Sequence, residues 1–328
     1  MPTNASIQIS LPLLAIAIGL YLLLWSADKF VSNAALVARK LQIPAVLIGM
    51  IIVGFGTSMP EIVISAVAAN NGNPGLALGN AYGSNIANIA LILGITAVIV
   101  PIKVESGILK QQLPILLVIT LIASLQMLDS HLSFLDGIGL ILIFMGLMTW
   151  SIRQGLKHRQ DAFAQDIRDE LDIREKPLSE VVIQLIVGIL VLVISSRIFV
   201  WGAVDLAKTF GVSELIIGLT VVALGTSLPE LVSSIMAIKK NEHDLALGNI
   251  LGSNLFNTLT VVGIAGVIQP FQVPAQVLYR DLPVMVLLTV ALYLACYQFR
   301  DKPFITRWEG GALLAGYISY TYWLFISI

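Results

Sequence analysis

"GTSMPEIVIS", Gly56 to Ser65, and "GTSLPELVSS", Gly225 to Ser234, are nearly the same ten-residue phrase written twice, 169 positions apart. Each lies inside an apolar run long enough to cross a bilayer, and each sets a carboxylate, Glu61 or Glu230, directly after a proline. The offset continues without a gap, bringing "LALGNAYGSNIAN" (Leu76 to Asn88) over "LALGNILGSNLFN" (Leu245 to Asn257), Pro101 over Pro270 and Pro114 over Pro283. Between Gly54 and Gly94, 18 of 41 positions are identical to their counterparts. Chance does not produce that agreement, so the chain is a tandem duplication.

The surroundings of the phrase set the fold class. The 328 residues are 57% hydrophobic and only 12% charged, which no soluble interior could hide. Runs of about 20 apolar residues match the hydrocarbon thickness of a membrane. Ten such runs are expected, at 9–37, 44–69, 74–99, 113–128, 133–152, 181–207, 213–238, 245–268, 282–299 and 308–327. The expected architecture is an all-α polytopic membrane protein with two five-helix repeats, 1–152 and 181–328, carrying the motifs 54–94 and 223–263. Five is odd, so the second repeat enters from the opposite face and is inverted relative to the first, the arrangement of many alternating-access transporters.

Charge placement gives the orientation. With ten spans, fifteen of the nineteen Lys and Arg residues fall in loops on one side, while only Lys208 and Arg280 fall on the other. Basic loops stay cytoplasmic, so both termini are expected on the non-cytoplasmic side. The polar segment 153–180 reads as a cytoplasmic linker between the repeats. A net charge of −1 names no macromolecular partner, and nothing points to nucleic acid. The first apolar run is too long for a signal-peptide core. The single Cys296 excludes an internal disulfide, and His131, His158 and His243 are too scattered to form a metal cluster. Asp28 and Lys29, near the end of the first span, are expected to snorkel or pair with each other.

The chemistry then follows from the phrase itself. Pro60 and Pro229 lack an N–H and disfavour helix at the preceding residue, so the second and seventh helices should be discontinuous. Broken backbone at membrane depth is tolerated where it lines a site, and intramembrane carboxylates such as Glu61 and Glu230 are functional by default. The adjacent spans offer neutral oxygen donors, Ser84 and Asn88 in one repeat and Ser253 and Asn257 in the other, each pair about one turn apart. Asn85 and Asn254 lie off that face and are expected to cap or bridge backbone. Together with the hydroxyls of Thr57, Ser58, Thr226 and Ser227, these groups suit a hard cation with oxygen ligands. Two carboxylates balance one divalent ion, and without it they need about two monovalent cations or protons. That is exchange in outline, with ions as cargo and no resident cofactor. A passive channel needs neither inverted broken-helix motifs nor a counter-ion. A hydrolase built on Ser58 or Ser227 has no base in reach.

These motifs resemble the paired α-repeats of the sodium/calcium exchanger family, within the calcium/cation antiporter superfamily, and the resemblance covers nearly the whole chain. It implies inverted repeats whose first and sixth helices slide across a core of the second, third, seventh and eighth. Glu61 and Glu230 would be the acidic cation ligands, completed by Asn88, Ser84, Ser253 and Asn257, with Thr57, Ser58, Thr226 and Ser227 lining flanking sodium sites. The partners implied are the bilayer and the Ca²⁺ and Na⁺ carried across it, with a single chain sufficing. One position departs: some prokaryotic sodium/calcium exchangers have an aspartate where this chain has Asn257, and branches with two carboxylates include proton-coupled ones. The "GTS" segments look more like the sodium-coupled branch.

Overall fold

The structure, a computed structural model, describes residues 3–104, 107–157, 177–211, 223–296 and 304–326. Its helices are α1 (Thr3–Leu41), the half-helices α2a (Ala45–Thr57) and α2b (Met59–Asn70), α3 (Pro74–Ile99), α4 (Gly107–Gln126) and α5 (Phe134–Lys157). The second copy supplies α6 (Leu178–Thr209), α7a (Ala223–Thr226), α7b (Leu228–Lys239), α8 (His243–Ile268), α9 (Val277–Cys296) and α10 (Arg307–Ile326). Among the described residues six helices are long and apolar enough to cross a membrane, and α2a with α2b makes a seventh, bent by 46° at the break. The sequence expectation of ten exceeds that count. The segment 212–222, which opens the expected seventh span, and the central part of the 153–180 linker lie outside the described residues.

The repeat is written into the backbone position by position. Strand β1 (Ile102–Lys103) pairs with β4 (Phe304–Ile305), and β2 (His131–Leu132) with β3 (Phe271–Gln272), so the exit of α3 meets the entry of α10 and the exit of α8 meets the entry of α5. Among the described residues these two short ladders are the one addition to the all-helical expectation. Positive φ occurs at Gln42 and its counterpart Gly211, and at Gly72 and its counterpart Asn241. A π-helical turn at Ala87–Ile92 in α3 recurs at Phe256–Val261 in α8.

Helices α1 and α6 pack antiparallel. A Cβ on Gly19 would lie 2.7 Å from the Phe199 N, one on Gly188 3.2 Å from the Phe30 Cα, and one on Gly202 2.7 Å from the Pro12 O. As the residue number rises on one helix it falls on the other, and Gly19 and Phe30 are the repeat counterparts of Gly188 and Phe199. Only 28% of the apolar window of each is buried, against 72% for α3 and 83% for α8. Helices α1 and α6 therefore form an outer pair with lipid-facing Leu and Ile side chains, while α3 and α8 form the centre. There α2a meets α8 backbone to backbone: a Cβ on Gly248 would sit 2.3 Å from the Val46 O and one on Gly252 2.3 Å from the Met50 O. Small residues at these points let the helices close.

The basic segments around Arg39, Lys103, Lys240 and Arg307 meet at one end. Arg39 pairs with Glu242 at 2.8 Å, Lys240 with Asp28 at 2.7 Å, and Arg307 donates to the Ile99 carbonyl. Asp28 thus pairs across to Lys240 and not with its neighbour Lys29, because α1 packs along α7b, whose C-cap Lys240 brings an ammonium to it.

Candidate cation site

The site begins at the breaks. Ser58 (φ −86°, ψ 1°) interrupts α2, and Ser227 (φ −90°, ψ 6°) interrupts α7. The break falls one residue earlier than the proline rule predicts, since Met59 and Leu228 already belong to the following half-helices, where Pro60 and Pro229 occupy the tolerated first turn. Neither proline can donate to the carbonyl four residues back, at Gly56 or Gly225. The Gly225 carbonyl is met at 3.0 Å by the Ser196 hydroxyl of α6. In the first copy the counterpart of Ser196 is Ala27, which has no hydroxyl to give.

The first turns of α2b and α7b carry Glu61 and Glu230, both fully buried. Ser58 Oγ lies 3.4 Å from Glu230 Oε1. Thr57 Oγ1 lies 3.4 Å from Ser253 Oγ. The break of the first copy, the carboxylate of the second and the face of α8 therefore converge. From α3, Asn88 donates to Asn254 Oδ1 at 3.2 Å, and Asn85 donates to Thr258 Oγ1 at 2.8 Å. Asn85 and Asn254, expected to cap or bridge backbone, instead join α3 to α8 through side chains, because these residues face the opposite central helix. Ser84 is buried one turn before Asn88, and Thr226 is half-buried beside its break.

The polar atoms at this centre are oddly matched. Both oxygens of Glu61, one of Glu230, Oδ1 of Asn85, Asn88 and Asn257, and the Ser227 hydroxyl are buried without a hydrogen-bond partner among the described residues. The one orphan amide donor beside them is Asn254 Nδ2. Thr96 and Thr289, by contrast, fold back on their own backbone, bonding the Ile92 carbonyl at 2.6 Å and the Met285 carbonyl at 2.8 Å. A buried acceptor without a donor costs about 1–3 kcal/mol, and an ionised one more. An excess of buried acceptor oxygens over donors suits a hard cation, which takes oxygen ligands. Among the described residues no group of three or more His, Cys, Asp and Glu forms, so two carboxylates are the anionic complement.

Two residues at the centre escaped the sequence reading. Asn80 donates to the Glu61 carbonyl (3.4 Å) and Ser65 Oγ (3.0 Å), and Asn249, its counterpart, to the Glu230 carbonyl (3.3 Å) and Ser234 Oγ (3.0 Å). The signal was available: Asn80, Ser84 and Asn88 are spaced at i, i+4 and i+8, and the asparagine is identical in both copies.

Comparison with known proteins places this geometry. The sequence profile of the family described as "Sodium/calcium exchanger protein" matches residues 11–153 and again 180–326, two matches whose starts are one repeat offset apart. The chain is 42% identical over 318 residues to the "Putative antiporter CaxA" of Alkalimonas amylolytica, covering 95% of this chain and 98% of that protein. It is 28% identical to the "Sodium/calcium exchanger MaX1" of Methanosarcina acetivorans, covering 97% and 99%. Its fold is similar to that of the sodium-calcium exchanger NCX_Mj soaked with 10 mM Na⁺ and zero Ca²⁺, with a TM-score of 0.81 and 30% identity over 94% of this chain and 97% of that one.

Proposed function

This chain belongs to the sodium/calcium exchanger family, and from that premise we propose that it is a membrane antiporter exchanging Ca²⁺ for Na⁺ at a midplane site built on Glu61 and Glu230. The observation that carries this reading is the excess of buried oxygens over donors around the two breaks. Glu61, Glu230, Asn88, Ser84, Ser253 and Asn257 hold the divalent ion, and Thr57, Ser58, Thr226 and Ser227 line the flanking positions that Na⁺ takes. The carboxylates balance Ca²⁺ when it is bound; when it leaves, their repulsion draws in monovalent ions, so the site is never left charged and bare.

Ten spans in two inverted five-helix repeats accommodate this cycle. Antiparallel packing of α1 on α6 supports the inversion, and the peripheral position of that pair supports motion across the α2–α3–α7–α8 core. The clustered basic loops around Arg39, Lys103, Lys240 and Arg307 support a cytoplasmic assignment for that end, with both termini on the other side.

The test is flux in vesicles containing the purified chain. Vesicles loaded with Na⁺ should take up labelled Ca²⁺ and lose that uptake when the Na⁺ gradient is dissipated; uptake indifferent to both Na⁺ and pH gradients defeats antiport. A second reading, proton-coupled exchange, is favoured by one residue: Asn257 is neutral, so the site has two carboxylates, which two protons discharge as well as two Na⁺ ions do. Uptake that follows the pH gradient alone selects it.

A further inference from the structure

Asn249 is fully buried at the crossing of three elements, and its amide has work at both ends. The nitrogen lies 3.3 Å from the Glu230 carbonyl and 3.0 Å from Ser234 Oγ on α7b, and the oxygen lies 3.1 Å from Thr57 Oγ1 at the end of α2a. The orientation of the amide is forced. A backbone carbonyl can only accept, so the nitrogen must face Glu230 and the oxygen must face Thr57; the flipped amide would set two acceptors against each other.

That orientation settles what Thr57 can do. Its hydroxyl has one proton, and the acceptors in reach are Asn249 Oδ1 and the Val53 carbonyl at 3.1 Å, with the Gly54 carbonyl and Ser253 Oγ at 3.4 Å. When a cation occupies the carboxylate, the proton turns to Asn249 or to its own helix, and the lone pairs of Thr57 are left facing the ion. We propose that Asn249 is a positioning residue for cation binding: it anchors the backbone beneath Glu230 while taking the Thr57 proton, so that both oxygens present lone pairs to the same ion. The inference rests on the two-glutamate reading of the site. Asn80 does the first of these tasks for Glu61, with the same donor atom, the same kind of carbonyl and the same serine partner one turn on. An asparagine placed only to join helices would bond any convenient backbone group; in both copies it bonds the carbonyl of the residue that carries the charge.

The test is a double-variant cycle on the purified full-length chain in vesicles, using Ca²⁺ as probe. Asn249→Ala should raise the half-saturating Ca²⁺ about tenfold with the maximal exchange rate within about threefold of the parent, the size expected from losing a charge-linked hydrogen bond. Thr57→Val should raise half-saturating Ca²⁺ by a similar factor, read by equilibrium Ca²⁺ binding in Na⁺-free buffer because Thr57 itself lines the site. The double variant should be little worse than either single one, well short of the product of the two effects, because both remove one function. Multiplying effects, or a fall in maximal rate with half-saturation unmoved, would overturn the proposal and return Asn249 to a packing role. Should Asn249→Ala not be recovered folded, Asn80→Ala, at a half-buried position, carries the test: half-saturation rising about tenfold at near-parental maximal rate supports the proposal, and unmoved half-saturation rejects it. If the parent chain itself shows no Ca²⁺ saturation, the site reading fails, which is a different result from a parent that saturates and variants that do not separate as stated.

Discussion

Around Ser58 and Ser227 the two copies of the repeat adopt the same break with different support. The Gly225 carbonyl freed by Pro229 has the Ser196 hydroxyl; the Gly56 carbonyl freed by Pro60 has, at the matching position, only Ala27. The contrast is larger at the helix ends. Asp28 and Arg39 of α1 are ion-paired to Lys240 and Glu242, whereas the positions matching Lys240 and Glu242 in the first copy are Asn71 and Asn73, so these two ion pairs are not repeated by symmetry. Two identical inverted copies would give two mirror conformers, open to either side, of equal energy. Divergence away from the site lets one conformer be favoured without altering the ligands. In this structure the ion pairs tie α1 to the α7b–α8 turn.

Breaking the part that the copies share should have the largest effect. Glu61→Gln or Glu230→Gln should each weaken Ca²⁺ binding by roughly a hundredfold or more, about 3 kcal/mol; symmetry predicts similar losses, and calorimetry of the two variants side by side checks it. Next comes the backbone contact that brings α8 to the first break. Gly252→Ala places a methyl 2.3 Å from the Met50 carbonyl oxygen, with an expected loss of about 1–3 kcal/mol, read as a lower unfolding temperature in detergent.

Smaller effects test the difference between the copies. Ser196→Ala should destabilise by about 1 kcal/mol by leaving the Gly225 carbonyl without its donor, and Ala27→Ser should recover a comparable amount in the first copy; thermal unfolding of both variants measures it. The ion pairs are partly exposed, so Asp28→Lys should change stability by less than about 1 kcal/mol. Its effect belongs to sidedness: half-saturating Ca²⁺ should fall at the Arg39 end and rise at the other, each by a few-fold. The exchanged pair, Asp28→Lys with Lys240→Asp, should restore the parental ratio, measured in vesicles sorted by orientation.

Much of this was legible in the sequence because it depends on residues near one another in the chain or related by a fixed offset. The break at the "GTS" segments follows from proline chemistry, and burial of Glu61 and Glu230 follows from their place in apolar runs. What the sequence left unread depends on which helix lies opposite. Asn80 and Asn249 share a face with Ser84 and Ser253, but only the crossing of α8 with α2a and α7b shows that Asn249 bridges Glu230 to Thr57. Asn85 and Asn254 look like local caps until α3 and α8 are seen to face each other. The partner of Asp28 lies more than two hundred residues away, beyond any local pattern. The π turns holding Asn88 and Asn257 carry no residue signature that separates them from ordinary helix.

The shared two-glutamate site is tested most directly by equilibrium binding of Ca²⁺ to the purified chain in Na⁺-free buffer at neutral pH. One Ca²⁺ per chain is expected, displaced by added Na⁺ and lost alike in Glu61→Gln and Glu230→Gln. Binding retained by either variant, or binding that neither Na⁺ nor acid displaces, would contradict it.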